Sequence, residues 1–130
     1  MSKKPRVLLA DDHESVRREI RAILTPEFDV VGAVADGEAL IEAVETLKPD
    51  VVVLDVSMPV MGGIEAAKRL NELYPEGKVV FLSIHQNPAI VQEALSTGAL
   101  GYVFKISADA DIVEAVRKAL EGHTFLSPIL

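Results

Sequence analysis

The hydrophobic and polar positions of this chain alternate between two rhythms. Five short apolar runs read as strands: Arg6–Ala10 (RVLLA), Asp29–Val34 (DVVGAV), Val51–Leu54 (VVVL), Val79–Leu82 (VVFL) and Gly101–Phe104 (GYVF). Most are rich in β-branched residues, as strands buried on both faces of a parallel sheet tend to be. Between them apolar residues recur three and four apart, as along one face of a helix. Val16, Ile20, Ile23 and Leu24 form the first stripe, and Leu40, Ala43, Val44 and Leu47 the second. Ile64, Ala67 and Leu70 follow, then Ile90, Val91, Ala94 and Leu95, and last Ile112, Val113, Val116 and Leu120.

Strand and helix alternating through short connections predict right-handed βαβ units, hence a parallel sheet with helices on both sides in a three-layer α/β/α domain. The chain's 130 residues suffice for one such core. No compositional break, repeat or low-complexity stretch marks a second domain. Gly122 reads as the stop of the last helix and Pro128 as a breaker. Residues 1–122 are therefore predicted as the domain, and residues 123–130 as a tail from which a linker could begin.

Ligands of open parallel sheets bind beyond the carboxyl ends of the strands, so the residues that follow each run matter. Asp11 and Asp12 follow the first run, Asp55 the third, Ser83 the fourth and Lys105 the fifth. The second run leads only into Asp36–Gly37, a turn and helix entry. Each residue has an ordinary reading when taken singly. Asp11 stands three before Glu14 at capping-box spacing, Asp55 could be a turn residue, and Ser83 and Lys105 could be surface groups. Their joint placement at one sheet edge is the more specific signal.

Three carboxylates gathered there repel one another unless a cation sits among them. An all-oxygen donor set suits a hard ion, and Mg²⁺ where phosphate is handled. A carboxylate can also attack phosphorus to give an aspartyl phosphate. The phosphoryl oxygens then need a cation, a positive side chain and a hydroxyl to balance their charge. Asp55 is thus read as a phosphoacceptor, with Mg²⁺ held by Asp11, Asp12 and Asp55, and with Lys105 and Ser83 completing the set.

Composition narrows the partners. With 13 basic against 20 acidic residues the net charge is −7, and the nearest basic cluster is Arg17, Arg18 and Arg21 within one predicted helix. Direct nucleic-acid binding by this chain is not expected from such a surface, and its few aromatics offer no stacking platform. No apolar run is long enough to span a membrane, and the start MSKKPRVLLADD lacks the core of a signal peptide. Cysteine is absent, which excludes disulfides and thiolate metal sites. A cytoplasmic protein without a membrane partner is expected.

Together the stretches LLADDH, VVVLDVSMPVMGG, VVFLSIH and GYVFK resemble a receiver domain of bacterial two-component response regulators, over Arg6 to about Leu120. The resemblance implies a flavodoxin-like (βα)5 fold, a doubly wound five-stranded parallel sheet of order 2-1-3-4-5. It implies that Asp55 takes a phosphoryl group from a sensor histidine kinase. It further implies that Asp11 or Asp12 and the backbone carbonyl of Ser57 help bind Mg²⁺, Asp12 being the favoured direct ligand. Ser83 and Tyr102 match the family's switch pair and Lys105 its lysine. Such a domain is a signalling switch and not a turnover enzyme. More narrowly, DDHESVR, LSIH and GHTFLSP are similar to regulators that carry a C-terminal helix-turn-helix output domain of the LuxR-like type. That similarity implies control of transcription through a domain this sequence lacks, and pairing of receivers into a homodimer.

One departure concerns Ile106, which stands where receivers often have a cis-proline; a cis bond before a non-proline residue costs about 3 kcal/mol. His85, two residues after Ser83, could border the site, although an exposed loop histidine is the more ordinary reading. Phosphorylation is expected to draw Ser83 in and turn Tyr102 from outward to inward, reshaping the face around the fourth helix and fifth strand. Two rival readings fit less well. A phosphohydrolase of the haloacid dehalogenase type places a second acid two residues after its nucleophile, where this chain has Ser57. A docking module that has abandoned phosphorylation is expected to have lost site residues that are all present here.

Overall fold

The computed structural model of the chain describes residues 3–128; the first two residues of the predicted domain and the last two of the predicted tail lie outside the described residues. Five strands, β1 (Arg6–Ala10), β2 (Asp29–Val34), β3 (Val51–Leu54), β4 (Val79–Ser83) and β5 (Gly101–Phe104), alternate with five helices. These are α1 (Glu14–Leu24), α2 (Gly37–Leu47), α3 (Gly63–Leu73), α4 (Pro88–Leu95) and α5 (Ala108–Leu120). All strand pairs are parallel, and no described helix is long and apolar enough to cross a membrane.

Successive strand residues point to opposite faces of the sheet, and that two-residue period divides the core in two. Leu8, Ala10, Val52, Leu54 and Phe81 pack with α2, α3 and α4 on one face. Val7, Leu9, Val51, Val53, Val80 and Leu82 pack with α1 and α5 on the other. Buried side chains of this size contribute about 1.5–3 kcal/mol each, so the strands are fixed from both sides and their carboxyl ends become a firm platform.

The sheet has one strand more than the sequence predicts. Phe125–Leu126 of the tail form β6, which pairs with β5 and extends the order to β2-β1-β3-β4-β5-β6. Two residues beside a proline carry no recognisable strand pattern; the pairing arises because α5 returns the chain along the open edge of β5.

Helix entries also set the site. Asp36 caps α2 by accepting from Ala39 N–H at 2.8 Å, as its turn reading predicts. The N-cap of α1 is His13, without a side-chain cap, so the capping-box reading of Asp11 does not hold. The Asp11 carboxylate instead accepts the His13 N–H at 2.9 Å, two residues on. Gly63 opens α3 directly behind Asp55, and a Cβ there would lie 1.8 Å from the Asp55 carbonyl oxygen. Only glycine permits that approach.

Candidate functional site

Four strands deliver their polar residues to one edge. Asp11 follows β1, Asp55 follows β3, Ser83 ends β4 and Lys105 follows β5. Asp11 and Asp55 are 1% and 4% exposed, and for Asp55 that decides against an ordinary solvated turn residue. The Lys105 ammonium lies 2.8 Å from Asp11 Oδ2 and 3.2 Å from Asp55 Oδ2, bridging the two carboxylates. Its contact with Asp55 is a hydrogen bond. Its contact with Asp11 is a charge contact without hydrogen-bond alignment, and Asp11 Oδ2 is left buried with no hydrogen bond.

Several groups hold Asp11 in place. Its Oδ1 accepts from His13 N–H, and Arg17 donates to its carbonyl at 2.7 Å. The exposed His13 ring sits with Nδ1 3.3 Å from Asp11 and 3.1 Å from Asp12. Carboxylate oxygens of Asp11, Asp12 and Asp55 and a ring nitrogen of His13 all lie within 4.8 Å of one another. Three acids, one with a buried oxygen whose near neighbour is the Lys105 ammonium, form a donor set that suits a hard divalent cation. His13 was not singled out in the sequence, because a histidine in a strand-to-helix loop is usually solvated; the run DDH was the available signal.

Electrostatics follow from this crowding. Burial pushes the Asp55 carboxyl above its ordinary value, and Asp11 adds to the rise, while Lys105 and the Ser57 N–H pull against it. Burial alone would lower the Lys105 amine, but its contacts with Asp11 and Asp55 prevail and raise it, so it stays charged. The Lys105–Ile106 peptide is trans, and the amine nonetheless reaches both acids. A short 3-10 turn, Lys105–Ser107, carries the chain from β5 into α5.

The loop after Asp55 carries Ser57, whose N–H lies 3.4 Å from Asp55 Oδ1 and whose hydroxyl is 3.0 Å from His85 Nε2. Val60 in the same loop has φ +68, a strained conformation for a β-branched residue. Val60, Ile84 and Ile106, each more than two-thirds exposed, lie in the loops that follow β3, β4 and β5.

His85 borders the site, against its more ordinary reading as a free loop histidine, and links its parts. Its N–H donates to the buried Ser83 Oγ at 3.0 Å, and its carbonyl accepts from the Tyr102 hydroxyl at 2.8 Å. Tyr102 is fully buried between Phe81 and Phe104, with ring centroids 6.1 and 5.9 Å away. The ring is therefore inward in this structure, not outward, because the core takes its face while the His85 carbonyl satisfies its hydroxyl. Burial pushes that hydroxyl above its usual value, keeping it a donor.

Comparison with known proteins agrees with this geometry. Residues 7–117 match the family described as the response regulator receiver domain. The chain is 41% identical over 128 residues to the transcriptional regulatory protein DegU of Brevibacillus brevis, covering 96% of this chain and 54% of that protein. It superposes on a LuxR-family two-component response regulator from Aurantimonas sp. SI85-9A1 with a TM-score of 0.92 and 33% identity, covering 97% of this chain and 91% of that one. It also resembles the isolated REC domain of RcsB from Salmonella enterica serovar Typhimurium, solved in the presence of phosphomimetic BeF3⁻. There the TM-score is 0.87 and the identity 31%, covering 95% and 94% of the two chains. The chain spans just over half the length of the curated relatives it matches.

Proposed function

The chain belongs to the response regulator receiver domain family, and on that premise we propose that Asp55 is the phosphoacceptor of a two-component signalling switch. The observation that carries this reading is the Lys105 ammonium bridging the buried carboxylates of Asp11 and Asp55 at 2.8 and 3.2 Å. A carboxylate made more basic by burial is a better nucleophile once ionised. An Asp55 oxygen attacks phosphorus, the bond from phosphorus to the donor nitrogen of a histidine kinase breaks, and that nitrogen keeps the electron pair. Lys105 then moves its charge from the carboxylate to the phosphoryl oxygens, and the Ser83 hydroxyl donates to them.

Asp11, Asp12, Asp55 and the Ser57 carbonyl would hold Mg²⁺, which neutralises phosphoryl charge when bound. Ser83 and Tyr102 carry the signal through His85, whose backbone touches both. The exposed Val60, Ile84 and Ile106 in the loops at this edge offer apolar contact area to the kinase. With Ser57 in place of a second acid, the site lacks a proton donor for rapid turnover, so the domain is a switch and not a hydrolase.

Residues 1–122 are read as the receiver domain, and the tail 123–130, which adds β6 to its sheet, as a segment from which a linker to an output domain could begin. Cytoplasmic location and receiver pairing belong to the same reading. The experiment is intact mass after incubation with Mg²⁺ and acetyl phosphate, for wild type and Asp55→Asn. One phosphoryl group gained by wild type alone is expected; equal gain by both would exclude Asp55, and gain by neither would point to a docking module.

A further inference from the structure

Beyond β6 the chain ends its pairing in an unusual way. Phe125 N–H donates to the Leu100 carbonyl and Ser127 N–H to the Tyr102 carbonyl, at 2.9 and 3.0 Å, as a parallel ladder requires. The next ladder donor is Phe104 N–H, and its acceptor is a side chain: Ser127 Oγ at 3.1 Å. The same hydroxyl donates its proton to Asp111 Oδ2 on α5 at 2.8 Å. Pro128 follows and has no N–H with which to continue the ladder. One hydroxyl, 1% exposed, thus fastens β5, β6 and α5 together.

Its position gives the clasp a consequence for chemistry. Phe104 is the last residue of β5, and Lys105 is the next residue in the chain. The amine that bridges Asp11 and Asp55 therefore hangs from the backbone unit that Ser127 holds. A buried Phe104 N–H without an acceptor would draw the strand end towards water or another partner. Displacements of about 1 Å in a charged group at a reacting centre are costly.

We propose that Ser127, oriented by Asp111, is a positioning residue for phosphoryl transfer, fixing the end of β5 from which Lys105 reaches Asp55. The proposal rests on the reading of Asp55 as phosphoacceptor. It makes the tail part of the site's construction, so that whatever the tail joins is mechanically tied to Lys105.

The test measures initial rates of phosphoryl uptake from acetyl phosphate with Mg²⁺, by intact mass, at a temperature where thermal melts show every variant folded. Ser127→Ala is expected to slow uptake by about fivefold, the ratio that corresponds to one net hydrogen bond. Ser127→Thr, which keeps the hydroxyl, restores it to within about twofold, and Asp111→Ala, which frees the hydroxyl to rotate, gives an intermediate rate. Amide exchange at Phe104 and Lys105 speeds up in Ser127→Ala. In a Lys105→Ala background, Ser127→Ala adds no further slowing, since residues acting through one another are not additive. A lowered melting temperature with unchanged uptake would make the clasp structural only and overturn the proposal, as would full slowing that persists without Lys105. Should Ser127→Ala fail to fold, an Asp111→Ala rate equal to wild type overturns it equally. Failure of wild type to take up phosphate would instead sink the reading of Asp55.

Discussion

Two aspartates bracket the same strand, and the molecule uses them in opposite ways. Asp50 precedes β3 and is exposed; its carboxylate accepts the Arg6 N–H at 2.7 Å, while its own N–H donates to the Arg6 carbonyl at 2.8 Å. At this amino end of the sheet a charge completes the backbone bonding of β1 and β3, and water solvates the rest. Asp55 follows β3 and is buried beside a second carboxylate, with the Lys105 ammonium bridging the pair. Residue type is identical and the separation is one short strand. What differs is which end of the parallel sheet the residue occupies, because only the carboxyl end gathers loops from several strands around one point. The amino end contributes stability, whereas the carboxyl end buries charge at a cost, as the proposed phosphoacceptor role of Asp55 requires.

The largest expected effect tests whether Lys105 is what makes the carboxyl end chemical. Lys105→Ala removes the positive group facing the developing phosphoryl charge, and uptake from acetyl phosphate should fall on the order of 100-fold. Stability should also fall, because two buried carboxylates lose their counter-charge, so uptake is compared at a temperature where thermal melts show the variant folded. Uptake within a few-fold of wild type would mean that Lys105 only balances charge in the fold, and the contrast between the two ends would weaken.

A smaller effect sharpens the other side. Asp50→Ala deletes an acceptor for the Arg6 N–H, and stability should drop by about 1 kcal/mol, the net worth of one such bond. Phosphoryl uptake should not change, because Asp50 lies at the far end of β3. Thermal melts and uptake rates on one sample distinguish the cases; a slowed uptake would show that the two ends are coupled through the strand.

The carboxyl end was also the more legible of the two in the sequence. Runs such as VVVL and VVFL specify buried strands by local composition, and Asp11, Asp55, Ser83 and Lys105 stand directly after them. Topology then brings them together whatever the loops do. The features that escaped detection depend on contacts between distant segments. β6 exists only because α5 returns Phe125 and Leu126 to the edge of β5, and no two-residue stretch announces that. Ser127 looks like any serine before a proline until Phe104 and Asp111 are placed beside it. His13 gains its acidic neighbours from loop geometry, and the alternative capping reading of Asp11 fails because that side chain turns to the His13 N–H and Lys105. Whether Tyr102 lies inward or outward is a balance of packing and one hydrogen bond, which residue spacing does not encode.

The smallest expected effect concerns Asp55 itself and the sign of its contribution. Burial, then Asp11, holds its carboxyl above the ordinary value of 3.8, against the opposite pull of Lys105. A carboxyl raised in this way stabilises the fold only while protonated, and that stability is lost as pH rises through the folded-state value. At neutral pH the ionised Asp55 is therefore a cost, and Asp55→Asn removes it while leaving an acceptor for Lys105. In EDTA the variant should melt a few degrees above wild type at pH 7, and the two should converge as pH falls below about 4. Added Mg²⁺ should favour wild type, because a ligand bound only by the folded state stabilises it. A variant that melts below wild type at pH 7 would show that the Lys105 bridge outweighs burial. Asp55 would then hold the structure together much as Asp50 does, and the two ends of the strand would differ in geometry alone.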